Sequence, residues 1–183
     1  MLVALEETWN SADARRCFEN LYPMYLHELS AFGADLYALD AAGRWQPDLA
    51  HNWTEPVTGH ANLLDPRPAA DRSQPFQRGY TICVDQRRVG FACVALPPFR
   101  YMDRRSNFQL SELFVVHRYR GSGVAVLAVR ELFSRYKGRW ELGALRDNTR
   151  AVSFWRRSLS RLGARDLVAT ESGAEIDWRF TIV

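Results

Sequence analysis

Between His117 and Gly123 the chain reads His-Arg-Tyr-Arg-Gly-Ser-Gly. A strand-like apolar run (109–116) leads into it, and a run dense in Val, Ala and Leu (124–133) leads out as a helix. At a helix start the first backbone N–H groups have no acceptor within the helix, and the helix dipole favours negative charge there. Gly121 and Gly123 let the main chain come close to a ligand, while His117, Arg118 and Arg120 add cations or a potential cation. Those are the makings of a phosphate or pyrophosphate cradle. From the glycines alone, a tight turn with no ligand reads the same. The loop is not closed by the Gly-Lys-Ser/Thr of a P-loop, and it lacks the GxGxxG spacing of a dinucleotide site.

A second block sharpens the reading. Arg120, Gly123 and Ala125 fit R-x-x-G-x-A. After a strand-like run (140–145), Asn148, Ala151, Phe154 and Trp155 fit N-x-x-A-x-x-F-aromatic. The pairing resembles the GNAT superfamily of acyl-CoA-dependent N-acetyltransferases. It is most similar to a bacterial group of uncharacterised acetyltransferases, in which a YRG loop, a WE strand and an N…FWRR helix recur. The sharp motifs cover residues 109–163, and the first 75 residues match in outline only.

The resemblance implies an α/β (α+β) fold: a mixed, mostly antiparallel sheet of about six to seven strands flanked by helices, with splayed central strands, in one domain over 1–183. It implies acetyl-CoA as co-substrate, no metal, and a small-molecule or peptide amine as acceptor. Arg120, Gly123 and Ala125 would wrap the pyrophosphate, with main-chain N–H groups from Gly121 to Val126, through Ser122, Gly123, Val124 and Ala125. Phe114 and Val115 would offer their backbone to the pantetheine amides as an added strand, and an N–H there could polarise the thioester carbonyl. Asn148 would orient the pantetheine arm or only cap its helix, with Ala151 and Trp155 lining the thiol end. Arg118, Arg150, Arg156 and Arg157 would meet the other phosphates or stay solvated, and His117 would contact phosphate or stay exposed.

One position departs from the family pattern. Many relatives carry tyrosine where this chain has Trp155, and an indole cannot protonate a departing thiolate. A free thiol has a pKa of ~8.5, so thiolate is not a very poor leaving group. The base is a separate question. An amine with a pKa of ~10.4 must lose a proton before attack, which at pH 7 costs ~4.6 kcal/mol. Glu112 is a carboxylate within an apolar strand and the candidate base; a buried ion pair with an arginine is the alternative role. Alternation puts Ser111 and Glu112 on opposite faces unless a bulge intervenes. Glu141 is a second candidate.

The elements that must position these residues follow from periodicity. A strand is expected at 2–5. A helix is expected at 12–32, capped by Ser11, kinked or split by Pro23 and stopped by Gly33. Residues 43–79 carry five of the eight prolines and read as a long, partly ordered excursion. Strands at 80–84 and 89–96 form a hairpin, followed by a strand at 108–116, a helix at 121–136, a strand at 140–145, a helix at 149–162 and strands at 164–169 and 174–182. Tyr22, Tyr25, His27, Glu28 and Trp53 would line the acceptor side, though core packing accounts equally for the tyrosines.

Composition bounds the rest. The 183 residues are 47% hydrophobic and 25% charged, which excludes a disordered chain. Lys137 is the one lysine among 24 basic residues. A net charge of +3 with 21 acidic residues is too balanced for a general nucleic-acid binder. Cys17, Cys83 and Cys93 have neither framework nor zinc spacing and read as small buried hydrophobes in a reducing compartment. No apolar run spans a membrane and the start has no leader pattern, so the expected place is the cytosol, as a monomer or homodimer. A non-catalytic coenzyme A-binding module is the other reading.

Overall fold

The computed structural model describes residues 1–33, 38–43, 45–46, 76–97, 99 and 102–183. The strands are β1 (Val3–Glu7), β2 (Ala38–Leu39), β3 (Trp45–Gln46), β4 (Phe76–Val84), β5 (Arg87–Leu96), β6 (Phe108–Val115), β7 (Gly138–Leu145), β8 (Arg165–Ser172) and β9 (Glu175–Ile182). The helices are α1 (Ala12–Leu29), α2 (Val124–Arg135) and α3 (Thr149–Ser158). Seven strands make one sheet in the order β1-β4-β5-β6-β7-β9-β8, and β2 with β3 makes a separate ribbon. Every pairing in the large sheet is antiparallel except β6 with β7. This is the mixed, mostly antiparallel sheet that the resemblance implied.

The sheet has two buried faces. On one, Phe18, Tyr22 and Leu26 of α1 pack with Phe91, Cys93 and Phe114 of β5 and β6. The spacing of four places the three α1 residues on one stripe, and each fully buried side chain contributes roughly 2 kcal/mol. On the other face, Val124, Ala128, Val129, Leu132 and Phe133 of α2 and Val152 and Trp155 of α3 pack with Trp140, Leu142, Trp178 and Phe180.

Several expected boundaries shift. Pro23 sits inside α1 without dividing it. It removes one N–H bond, to the carbonyl of Glu19, and Glu19 is exposed, so water can take that acceptor. The helix stops at Leu29, before Gly33, where the Ser30 hydroxyl donates to the His27 carbonyl at 2.7 Å. The β4–β5 turn tightens to Asp85 and Gln86, both left-handed (φ 45° and 69°), which suits the twist of a two-residue hairpin. The helix expected from 121 begins at Val124 because Gly121 (φ 77°) and Gly123 (φ 88°) form a left-handed turn ahead of it. β8 runs on to Ser172. Residues 47–75, with Trp53 and most of the proline-rich excursion, lie outside the described residues.

Cys93 is buried, while Cys17 and Cys83 are only half-buried, and all three thiols are free. No described helix is long and apolar enough to cross a membrane.

Candidate functional site

Two irregularities in β6 shape the site. The first is its partnership with β7. The parallel ladder holds Phe108–Trp140, Gln109–Glu141 and Leu110–Leu142, and then stops. Past Leu110 the two central strands part, leaving a gap between adjacent strands of one sheet.

The second is a bulge. The β5–β6 ladder pairs Gly90 with Val115, Phe91 with Phe114, Ala92 with Leu113 and Cys93 with Glu112, then jumps to Val94 with Leu110. Ser111 is the extra residue. Its hydroxyl donates to the Cys93 carbonyl (3.2 Å) and accepts from Gln77 Nε2 (3.0 Å). The bulge resets the alternation. Leu110, Leu113 and Val115 face the α2/α3 core, while Phe114 packs in the cluster beneath α1 and Glu112 lies near Tyr25 of α1.

The same ladder decides which backbone groups meet the gap. The Val116 N–H donates to the Val89 carbonyl at 2.8 Å. Main-chain groups alternate along a strand, so Phe114 also turns its N–H and C=O toward β5, and Leu113 and Val115 turn theirs to the gap. A Cβ at Gly90 would overlap the Phe114 carbonyl oxygen, so glycine lets β5 come this close. Of the two residues expected to present backbone, Val115 therefore faces the gap and Phe114 faces β5, and Leu113, which the sequence did not single out, faces the gap beside Val115.

Arg120 turns away from the loop it opens. Its Nε donates to the Val115 carbonyl at 2.6 Å, its Nη2 lies 2.7 Å from Glu28 Oε2, and its guanidinium sits 5.4 Å over the Phe114 ring. Its side chain ties β6 to α1. Beside the exposed side chains of His117 and Arg118, the loop offers main-chain donors. Gly123 caps α2 with no side-chain hydrogen bond, and the first intrahelical bond is Leu127 N–H to the Gly123 carbonyl. The N–H groups of Val124, Ala125 and Val126 therefore point out of the helix end. Nothing lies within 4 Å of a Cβ built on Gly121 or Gly123, so the space before them is open. The Ser122 hydroxyl donates to the Tyr119 carbonyl at 2.7 Å. A phosphate fits this donor set.

The start of α3 lies beside the same loop, where Arg150 Nη1 is 3.4 Å from His117 Nε2. Arg118, Arg150, Arg156, Arg157 and His117 are all exposed. Asn148 Oδ1 accepts the Ala151 N–H at 3.1 Å and caps α3; its Nδ2 has no partner among the described residues. Ala151 is half-buried. Trp155 is 5% exposed, in the α2/α3 core, edge-on to Phe154 with ring centroids 4.7 Å apart.

The two candidate carboxylates differ. Glu141 is buried, with both oxygens hydrogen-bonded: the Asp103 N–H donates to both (3.0 and 3.2 Å) and the Ser106 hydroxyl to one (2.6 Å). It anchors the turn that enters β6. Glu112 begins two residues past the last β6–β7 pair, half-buried against α1. Among the described residues no arginine pairs with it. Burial pushes its pKa up to about 7, against the pull of a hydrogen bond from the Tyr25 hydroxyl. No described set of three His, Cys, Asp or Glu side chains comes together as a metal site.

A family model described as acetyltransferase (GNAT) family matches residues 44–160. Among solved structures, an acetyltransferase from Thermus thermophilus is similar at TM-score 0.56 and 18% identity, over 98% of this chain and 96% of that one. The PaiA N-acetyltransferase from Thermoplasma acidophilum, in complex with coenzyme A, is similar at TM-score 0.53 and 11% identity, over 99% of each chain. At these identities the likeness is one of fold. No curated protein matches the chain.

Proposed function

The chain belongs to the GNAT acetyltransferase family, and from that membership we propose that it moves an acetyl group from acetyl-CoA to a primary amine of a small molecule or peptide, by direct transfer in a ternary complex. The observation that carries this reading is the gap between β6 and β7, which leaves the N–H groups of Leu113 and Val115 without a strand partner among the described residues, beside a glycine-led helix start that no side chain caps.

The residues divide the work. The N–H groups of Val124, Ala125 and Val126 bind the pyrophosphate, and the left-handed Gly121 and Gly123 keep side chains out of its way. Leu113 and Val115 pair with an extended pantetheine arm as a missing strand would, and Asn148 Nδ2 adds a donor. Acetyl-CoA supplies an activated acyl thioester. A main-chain N–H of β6 at the gap polarises its carbonyl and stabilises the charge that develops on oxygen. Glu112 accepts the proton that the amine must lose. A base with a pKa near the working pH is largely ionised there and still basic enough to act, and Glu112, at about 7, meets that condition. Trp155 offers no acidic hydrogen to the departing thiolate, so the thiolate leaves to water.

The experiment is a thiol-release assay with acetyl-CoA and a panel of primary amines: aliphatic diamines, arylamines, amino sugars and peptides with free N-termini. Amine-dependent release of coenzyme A, with the acetamide seen by mass spectrometry, is the expected result. Tight binding of acetyl-CoA with no transfer to any amine would replace this reading with a coenzyme-binding module.

A further inference from the structure

β6 ends at Val115, where the loop toward α2 begins. Two hydrogen bonds hold the peptide group between Val115 and Val116. On the β5 side its N–H donates to the Val89 carbonyl at 2.8 Å. On the other side its C=O, the last carbonyl of β6 to face the gap, accepts from Arg120 Nε at 2.6 Å. The pairing with β7 has already stopped at Leu110. Arg120 therefore stands in for a neighbouring strand at one carbonyl, and its charge makes that bond stronger than one between neutral groups.

The guanidinium is held from two further directions. Its Nη2 donates between the Glu28 oxygens, 2.8 Å from Oε1 and 2.7 Å from Oε2. The Phe114 ring lies under the cation, 5.4 Å from its centre. A planar fork already fixed by a carboxylate and an aromatic face loses little freedom in keeping a third contact. A ligand must disturb the whole set to win the Val115 carbonyl.

We propose that Arg120 is a positioning residue that ends the pairing edge of β6: with the Val115 carbonyl occupied, an extended ligand in the gap pairs with the N–H and C=O of Leu113 and the N–H of Val115, and leaves the strand there. This rests on the cofactor reading above, and it gives the arginine of the motif a role other than phosphate contact. Strand pairing repeats every two residues, so an arm paired in this way could slip by one repeat and still find partners. A slip toward α2 would need the Val115 carbonyl, and Arg120 removes that register. The register that remains decides how deep the thioester lies in the gap.

Val115–Val116 is the only Val-Val pair in the chain. Labelling valine with carbon-13 at the carbonyl and with nitrogen-15 therefore gives a single coupled pair in NMR, the Val115 carbonyl and the Val116 nitrogen. Arg120→Met keeps an apolar stem over Phe114 and removes the fork. In the free protein it should move the Val115 carbonyl resonance to an open position. With saturating acetyl-CoA the parent resonance should stay where it was, while that of Arg120→Met moves again as the arm takes the carbonyl. The Arg120 Nε–H signal, read in the parent with nitrogen-15 arginine and assigned with Arg120→Lys, should persist through the titration. Its loss overturns the proposal, whether or not Arg120→Met folds. S-acetylpantetheine carries the arm without the phosphates. The ratio of its Kd to that of acetyl-CoA should agree within about twofold between parent and Arg120→Met, the limit for independent contacts. A purely structural role would lower the melting temperature and leave the Val115 carbonyl of Arg120→Met unmoved by acetyl-CoA, which also overturns the proposal. A ratio that falls further in Arg120→Met puts the fork on the phosphates and overturns it too. A parent that binds neither ligand removes the cofactor reading itself, whereas binding with loss of the Nε–H signal removes the role of Arg120 alone.

Discussion

Arg120 and Glu28 meet across the end of β6, with Nη2 of the arginine 2.7 Å from Oε2 of the glutamate and its Nε on the Val115 carbonyl at 2.6 Å. One planar fork serves two acceptors on different elements, which a lysine ammonium cannot copy. The arginine of the R-x-x-G-x-A motif thus spends its side chain on α1 and on the Val115 carbonyl, not on the loop's open side.

The first prediction follows from that fork. Arg120→Lys should cost about 1–2 kcal/mol of stability, since it keeps the charge and loses one of two bonds. The pair is partly exposed, so its coupling to Glu28 should be small, about 0.5–1 kcal/mol. A urea double-mutant cycle with Glu28→Gln reads this number. Strict additivity would mean that the contact stabilises nothing.

Gly123→Asp should raise the Kd for acetyl-CoA more than tenfold. The aspartate tolerates a left-handed φ better than most residues, so the fold should survive. Its carboxylate would then occupy the open space before the N–H groups of α2 and repel phosphate. Titration calorimetry on the folded variant checks this, and an unchanged Kd would move the pyrophosphate elsewhere.

Asn148 separates into two jobs, one for each end of its amide. Asn148→Asp keeps the oxygen that caps α3 and loses the Nδ2 donor. It should melt no earlier than the parent yet bind acetyl-CoA more weakly, by about two- to tenfold for one hydrogen bond. Asn148→Ala loses the cap as well, at about 1 kcal/mol. If Asn148→Asp binds normally, the residue is a helix cap and nothing more.

Glu112 links stability to pH. Its folded pKa of about 7 stands above its ordinary 4.5. Between those values the folded chain keeps a proton that the unfolded chain has lost, so stability falls as pH rises through that window. Glu112→Gln removes the titration and keeps the side chain's shape. Relative to the parent it should gain nothing near pH ~4 and up to about 3 kcal/mol near pH ~8. Urea denaturation at both pH values measures the difference. A gain equal at both would show that Glu112 titrates normally in the fold.

The glycine turn and helix start proposed to take the cofactor's phosphates were legible in the sequence, because their geometry is local. Gly121, Gly123 and the helix behind them are consecutive, and left-handed backbone with uncapped N–H groups is a property of a few adjacent residues. Most strands and all three main helices could be read in the same way, from period and punctuation. Pro23 and Gly33 misled, since a surface helix can lose one bond to water and a serine can end it early.

What surrounds Glu112 was decided only by tertiary structure. Strict alternation on β6 gives the wrong faces, and the bulge at Ser111 depends on how β5 lies alongside it. Nothing near Glu112 in the chain announces Tyr25, which is 87 positions away, or says that both oxygens of Glu141 would be bonded to a turn. Whether β6 offers Phe114 or Leu113 to the gap depends on ladder parity, which exists only once two strands have paired. Burial raises the Glu112 pKa because the wall around it comes from α1, β5 and β6 together, and only packing brings those three to one point.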